Sequence, residues 1–122
     1  MTSTSRQCLG KWGEEAAAHY LTAGGYQILD RNHRTPYGEI DIISRLENTI
    51  VFVEVKTRAS DYFGLPEISV TTRKKQHMVQ SAQYYIQHHP TPACLWRIDV
   101  IAIQRQAGRE TPSIMHFKNV IA

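Results

Sequence analysis

The sequence predicts an α/β domain, a mixed sheet flanked by helices, with elements in the order αβββαββ. Three observations carry this. Two stretches repeat apolar residues at helical spacing, five shorter runs are rich in Ile, Val, Phe and Tyr, and Gly, Pro or polar turns punctuate the joins. With 122 residues and no linker, repeat or low-complexity segment, residues 1–122 read as a single domain.

Each element has its own signal. From Gln7 to Ala23, Leu9, Trp12, Ala16, Ala17, Tyr20 and Leu21 recur every three or four residues, and Gly24-Gly25 ends the helix. YQILDRN (26–32), EIDIIS (39–44) and TIVFVEVK (49–56) follow as strands, separated by RTPYG and RLEN, which suggests a meander. After the loop TRASDYFGLPEIS, the stretch from Thr72 to His89 sets Met78, Val79, Ala82, Tyr85, Ile86 and His89 on one side of a helix and Gln76, Gln80, Gln83 and Gln87 on another. It stops before Pro90. LWRIDVIAI (95–103) and IMHFKNVIA (114–122) read as two further strands joined by QRQAGRETPS.

Composition narrows the function classes. An apolar share of 42% and a charged share of 20% are ordinary for a globular protein. No apolar run approaches the roughly 18 residues of a membrane span, so no membrane partner is expected. MTSTSRQCLGKW lacks an apolar core and a cleavage site for export, and Cys8 and Cys94 lie far apart outside any CxxC pair. The expected compartment is the cytoplasm, with neither a zinc site nor a disulfide framework. A net charge of +3 permits an anionic partner without requiring one.

The chemistry concentrates on two strands. Alternation in EIDII sets Glu39, Asp41 and Ile43 on one face and Ile40 and Ile42 on the other; in VFVEVK it sets Phe52, Glu54 and Lys56 opposite Val51, Val53 and Val55. If the RLEN turn pairs these strands, Asp41 and Glu54 approach to about the 5 Å inter-strand spacing. Like charges that close call for a cation. Mg²⁺ suits them, since it takes one or two carboxylates plus waters and a phosphate, and Lys56 adds a compact positive charge beside it. The plain alternative is a solvated cross-strand charge pair without function. Against it, these charges sit on the most apolar strands of the chain, where an unpaired charge is expensive.

GEIDII followed by VFVEVKTR resembles the active-site pattern of the PD-(D/E)xK nuclease superfamily, with Asp41 as the first acid and Glu54-Val55-Lys56 as the (D/E)xK element. The chain is more closely similar to the uncharacterised bacterial YraN family, itself similar to archaeal Holliday junction resolvases. That likeness covers GKWGEEAAAHYL, GGYQILDRN, GEIDII, FVEVKTR, Lys75-Gln76 and RIDVIAI. Ile40 stands where the superfamily name has proline.

The resemblance implies a restriction-endonuclease-like fold and Mg²⁺- or Mn²⁺-dependent hydrolysis of DNA phosphodiester bonds by an endonuclease, on branched or otherwise structured DNA in recombination or repair. It assigns the metal to Asp41 and Glu54 with the carbonyl of Val55, the attacking water to Lys56, and a supporting role to Glu14, for which a solvated helix acid is the alternative. Glu39 either supports the metal through water or pairs with an arginine. Arg58, Lys74, Lys75 and Gln76, extended by Arg73, are the candidate contacts to the phosphate backbone. Tyr62 and Phe63 stack on a base or, as the favoured alternative, plug the loop from beneath. Asp99 reads as a structural partner of Arg97, and His77, His88 and His89 as ordinary helix residues. A homodimer paired along the last strand and a protein partner for activation complete the expectations, with a catalytically silent DNA-binding adaptor or a purely protein-binding domain as the alternatives.

Overall fold

The computed structural model of the chain describes residues 5–60, 71–90, 95–106 and 108–121. It contains helix α1 (Ser5–Ala23), strands β1 (Gln27–Thr35), β2 (Gly38–Leu46) and β3 (Thr49–Ser60), helix α2 (Thr72–His88), and strands β4 (Leu95–Gln106) and β5 (Ser113–Phe117). α1 ends as its glycines allow. Gly25 takes φ +89°, the Gly25 N–H reaches the Thr22 carbonyl, and the Tyr26 N–H reaches that of Leu21. This Schellman close drops Tyr26 onto Leu21 in the core and turns the chain into β1. At the start of α2 the Thr71 hydroxyl accepts the Lys74 N–H at 3.1 Å, an N-cap.

The strands form one sheet in chain order, antiparallel except where β3 and β4 run parallel from Thr49↔Leu95 to Ser60↔Gln106. A parallel step needs a long crossover, which passes through α2. One helix covers each face. α1 packs Ala17 and Leu21 on Ile42, Val51, Val53, Ile101 and Ile103; α2 packs Ala82 and Tyr85 on Ile40, Ile43, Ile50, Phe52 and Ile98. Burial on both faces is why VFV and IDVIAI read as continuous apolar runs. None of the described helices is long and apolar enough to cross a membrane.

Strict alternation in EIDII does not hold. Ile40 and Ile43 lie under α2 while Ile42 lies under α1, so Ile40 and Ile42 do not share a face. The cause is a kink shared by two strands. On β1, Arg31 pairs with Ile42 and bonds Glu15 of α1, whereas His33 pairs with Ile40 and packs edge-on against Tyr85 of α2. Between them Asn32 adopts φ +52°, and both strands change face there. The β2–β3 ladder runs from Leu46↔Thr49 to Ile42↔Val53, so the segment holding Glu39 and Asp41 parts from β3.

Strand ends also differ from expectation, with β2 reaching Leu46 and β4 reaching Gln106. β1 continues past Asn32 to Thr35, and β3 continues to Ser60 because β4 pairs with it to the end. The final strand stops at Phe117 instead of continuing to the terminus. Asn119 takes φ +56° and gives its N–H to Asp99 Oδ1 at 2.9 Å; Val120 then bonds the Ile98 carbonyl and packs, with Ile121, on the α2 side.

Asp99 is fully buried. The expected Arg97 contact is present, at 3.0 Å to Oδ1, and His116 Nε2 lies 2.7 Å from Oδ2. Burial pushes this carboxyl up, but bonds from His116, Arg97 and the Asn119 N–H hold it below the usual aspartate range. Asp99→Ala strands Arg97 and the Asn119 N–H, and we expect a loss of about 3–5 kcal/mol in urea unfolding. α1 lies close on β3 at Gly13, where a Cβ would overlap the Thr57 side chain. Gly13→Ala should therefore cost about 1–3 kcal/mol by the same measurement, although alanine favours an isolated helix.

Candidate active site

The candidate site lies where β2 leaves β3. Past Ile42 the ladder no longer supplies a backbone acceptor, and the Val55 N–H goes to Asp41 Oδ2 at 2.8 Å. The carboxylate thus replaces a main-chain carbonyl and is fixed by the sheet itself. Two clefts meet at Asp41. One opens on the α2 side between Glu39, Glu54, Lys74 and His77; the other opens on the α1 side between Glu14, Val55 and Arg58.

Three further carboxylates act on Asp41. Burial, with repulsion from Glu14, Glu54 and Glu39, pushes the Asp41 carboxyl up to about 6 against the opposing Val55 N–H. Glu14 reaches the site because side-chain-free Gly13 lets α1 lie close on β3. With its amide turned to suit its neighbours, Asn32 donates to Glu14 Oε2 at 3.2 Å and Glu39 Oε1 at 3.0 Å. The residue that kinks β1 therefore also ties two of the acids together. Glu54 faces α2, where Lys74 Nζ stands 2.7 Å from Oε1. Its Oε2 is buried and has no hydrogen-bond partner among the described residues.

The structure brings together Glu14, Glu39, Asp41 and Glu54, with Val55 supplying its N–H; Lys56, half-buried two residues beyond Glu54, lines neither of the two clefts. Glu39 also lies 3.9 Å from Arg34, the arginine alternative, across an exposed gap. The basic set divides. Lys74 is the partner of Glu54, and Arg58 lines the α1-side cleft, but Lys75 and Gln76 line a separate groove with Thr72, Val79 and Gln80. Helical spacing is the reason: positions 74, 77, 78 and 81 turn toward the acids and 75, 76, 79 and 80 turn away. Tyr62, Phe63 and Cys94 lie outside the described residues.

Asn32 and His77 were not singled out for the site from sequence. His77 had a signal, since it shares a helix face with Lys74; Asn32 had none short of its backbone angle. Among the described residues, no group of three or more His, Cys, Asp or Glu forms a ready-made metal cage. The donor set is nevertheless all oxygen, crowded with negative charge and carrying one orphaned carboxylate oxygen, which fits a hard divalent cation held by two carboxylates and waters.

This α/β domain, with an acid-rich notch in its sheet, has recognisable relatives. Residues 13–103 match the uncharacterised protein family UPF0102, and the chain belongs to that family. A UPF0102 protein of Caldicellulosiruptor saccharolyticus is 43% identical over 111 residues, 91% of this chain and 94% of its own. Another, from Thermodesulfovibrio yellowstonii, is 50% identical over 99 residues, 78% and 84% of the two chains. Among solved structures, Pyrococcus furiosus SfsA in complex with Ca²⁺ is similar at a TM-score of 0.40 and 12% identity, over 93% of this chain and 63% of that one.

The raised Asp41 carboxyl fixes a pH dependence. Because its folded value lies above the ordinary 3.8, its contribution to stability is fully present below about pH 4 and is lost as pH rises through about 6. In Asp41→Asn the amide oxygen still accepts the Val55 N–H but carries no charge. Urea unfolding between pH 4 and 8 should show a gain of about 2–3 kcal/mol above pH 7 and the loss of this part of the slope. A variant with the parental pH profile would contradict the assignment.

Proposed function

We propose that this protein is a metal-dependent endonuclease of the PD-(D/E)xK type, with a restriction-endonuclease-like fold, acting on branched or otherwise structured DNA. The observation that carries the reading is Asp41: a carboxylate built into the sheet at a strand parting, crowded by Glu14, Glu39 and Glu54. A stable fold has no need of that repulsion, and perturbed groups in clefts mark functional sites. Asp41 and Glu54, with the carbonyl of Val55, would hold Mg²⁺ or Mn²⁺, which supplies Lewis acidity to a phosphate and acidifies a bound water. Lys56, on the rigid central strand, would orient that water and stabilise charge developing on the phosphate. Asn32 would keep Glu14 and Glu39 placed around the water shell. Arg58 would contact the backbone of the nucleic acid from the α1-side cleft.

One observation favours a second reading, a DNA-binding adaptor without turnover: Lys74 already occupies one oxygen of Glu54. A single assay separates the two, using labelled four-way junction, flap, single-stranded and duplex DNA with Mg²⁺, Mn²⁺ or EDTA. The nuclease cuts with metal, and Lys56→Ala or Asp41→Ala lowers the rate at least about a hundredfold while far-UV circular dichroism stays unchanged. Cleavage at the parental rate in these variants would sink the assignment. Binding that persists in EDTA, with no cut under any metal, would establish the adaptor.

A further inference from the structure

We propose that Lys74 is a tethered counter-ion that competes with the divalent cation for Glu54, so that the site is closed by its own side chain until the metal displaces it. This rests on the reading of Asp41 and Glu54 as metal ligands. Three observations carry it. Lys74 Nζ lies 2.7 Å from Glu54 Oε1, while Oε2 is buried without a hydrogen-bond partner among the described residues. Glu54 is thus half satisfied, by a cation on one oxygen and by nothing described on the other. The Lys74 side chain is 50% exposed against 18% for Glu54, so the lysine can withdraw into solvent whereas the glutamate is held in place. Finally, the first turn of α2 carries Arg73, Lys74 and Lys75 and no acid. The positive end of a helix dipole disfavours cations, so Glu54, not its own helix, stabilises the Lys74 charge where it stands.

Competition has a definite sign. A metal arriving at Glu54 must break the ion pair and then sits near a displaced positive charge, and both effects weaken metal binding. An ion pair this exposed is worth up to about 1 kcal/mol, which corresponds to about a fivefold change in affinity. Lys74 is then a positioning residue. It keeps Glu54 aimed into the cleft without the metal and weakens the metal's hold.

The test is calorimetric titration of Mn²⁺ into the metal-free full chain at low salt and neutral pH, comparing the parent with Lys74→Met, Lys74→Arg and Glu54→Gln. Lys74→Met should bind about fivefold more tightly, Lys74→Arg about as the parent does, and Glu54→Gln should lose binding. Equal or weaker binding by Lys74→Met, with binding still lost in Glu54→Gln, overturns the competition and leaves the metal reading standing. Parental affinity in Glu54→Gln, or no binding by either the parent or Lys74→Met, removes the metal reading and this inference with it.

Discussion

The N–H of Val55 governs the arrangement of the rest of the site. A buried backbone donor must be satisfied, and β2 has already turned away when β3 reaches Val55. Asp41 satisfies it from the strand that left. That bond holds a carboxylate between the two faces of the sheet, reachable from both sides, and fixes it relative to its neighbours on β3. Glu54 then faces α2 and Val55 faces α1, so each helix has one side of the same notch to complete. Gly13 brings α1 close enough for Glu14 to take part, and the start of α2 delivers Lys74.

The sheet uses this device twice with opposite electrostatics. Asp99 also takes a backbone N–H where a strand leaves its ladder, and there too an asparagine with positive φ lies beside it. Around Asp99 the neighbours are Arg97 and His116, and its carboxyl is held low. Around Asp41 they are three more carboxylates, and its carboxyl is driven up. The backbone requirement is the same in both places, so structure alone does not call for the crowding at Asp41. The comparison separates a carboxylate that closes a fold from one held among like charges at a cost to stability.

Much of this was legible in the sequence for identifiable reasons. The helix pattern around Leu21 and Ala82 and the apolar runs at Val53 and Ile101 follow from burial, which periodicity reads directly. Asp41 and Glu54 were also readable, because charge in such runs stands out. The face change at Asn32 was not, since left-handed φ at an asparagine leaves no trace in hydrophobic pattern. The same blindness made the last strand too long, past Asn119. Lys74 and Lys75 are adjacent and identical in type, yet one meets the acids and the other does not. A basic run shows that charge is present; helix phase, once α2 is docked, decides which residue delivers it.

The kinks have one further consequence, at the rims of the sheet. An open sheet with two bare edges invites a neighbouring molecule to add a strand and begin an aggregate. β1 is one rim, and it is broken by a register shift beside Leu29 and studded with Asp30, Arg31 and Arg34. β5 is the other, only five residues long, and at Asn119 the chain folds inward to leave Val120 and Ile121 against the α2 side. A docking strand would meet charge and irregular spacing on one side and a ladder of five residues on the other. Among the described residues, the irregularities that shape the interior of this protein also keep both rims short or uneven.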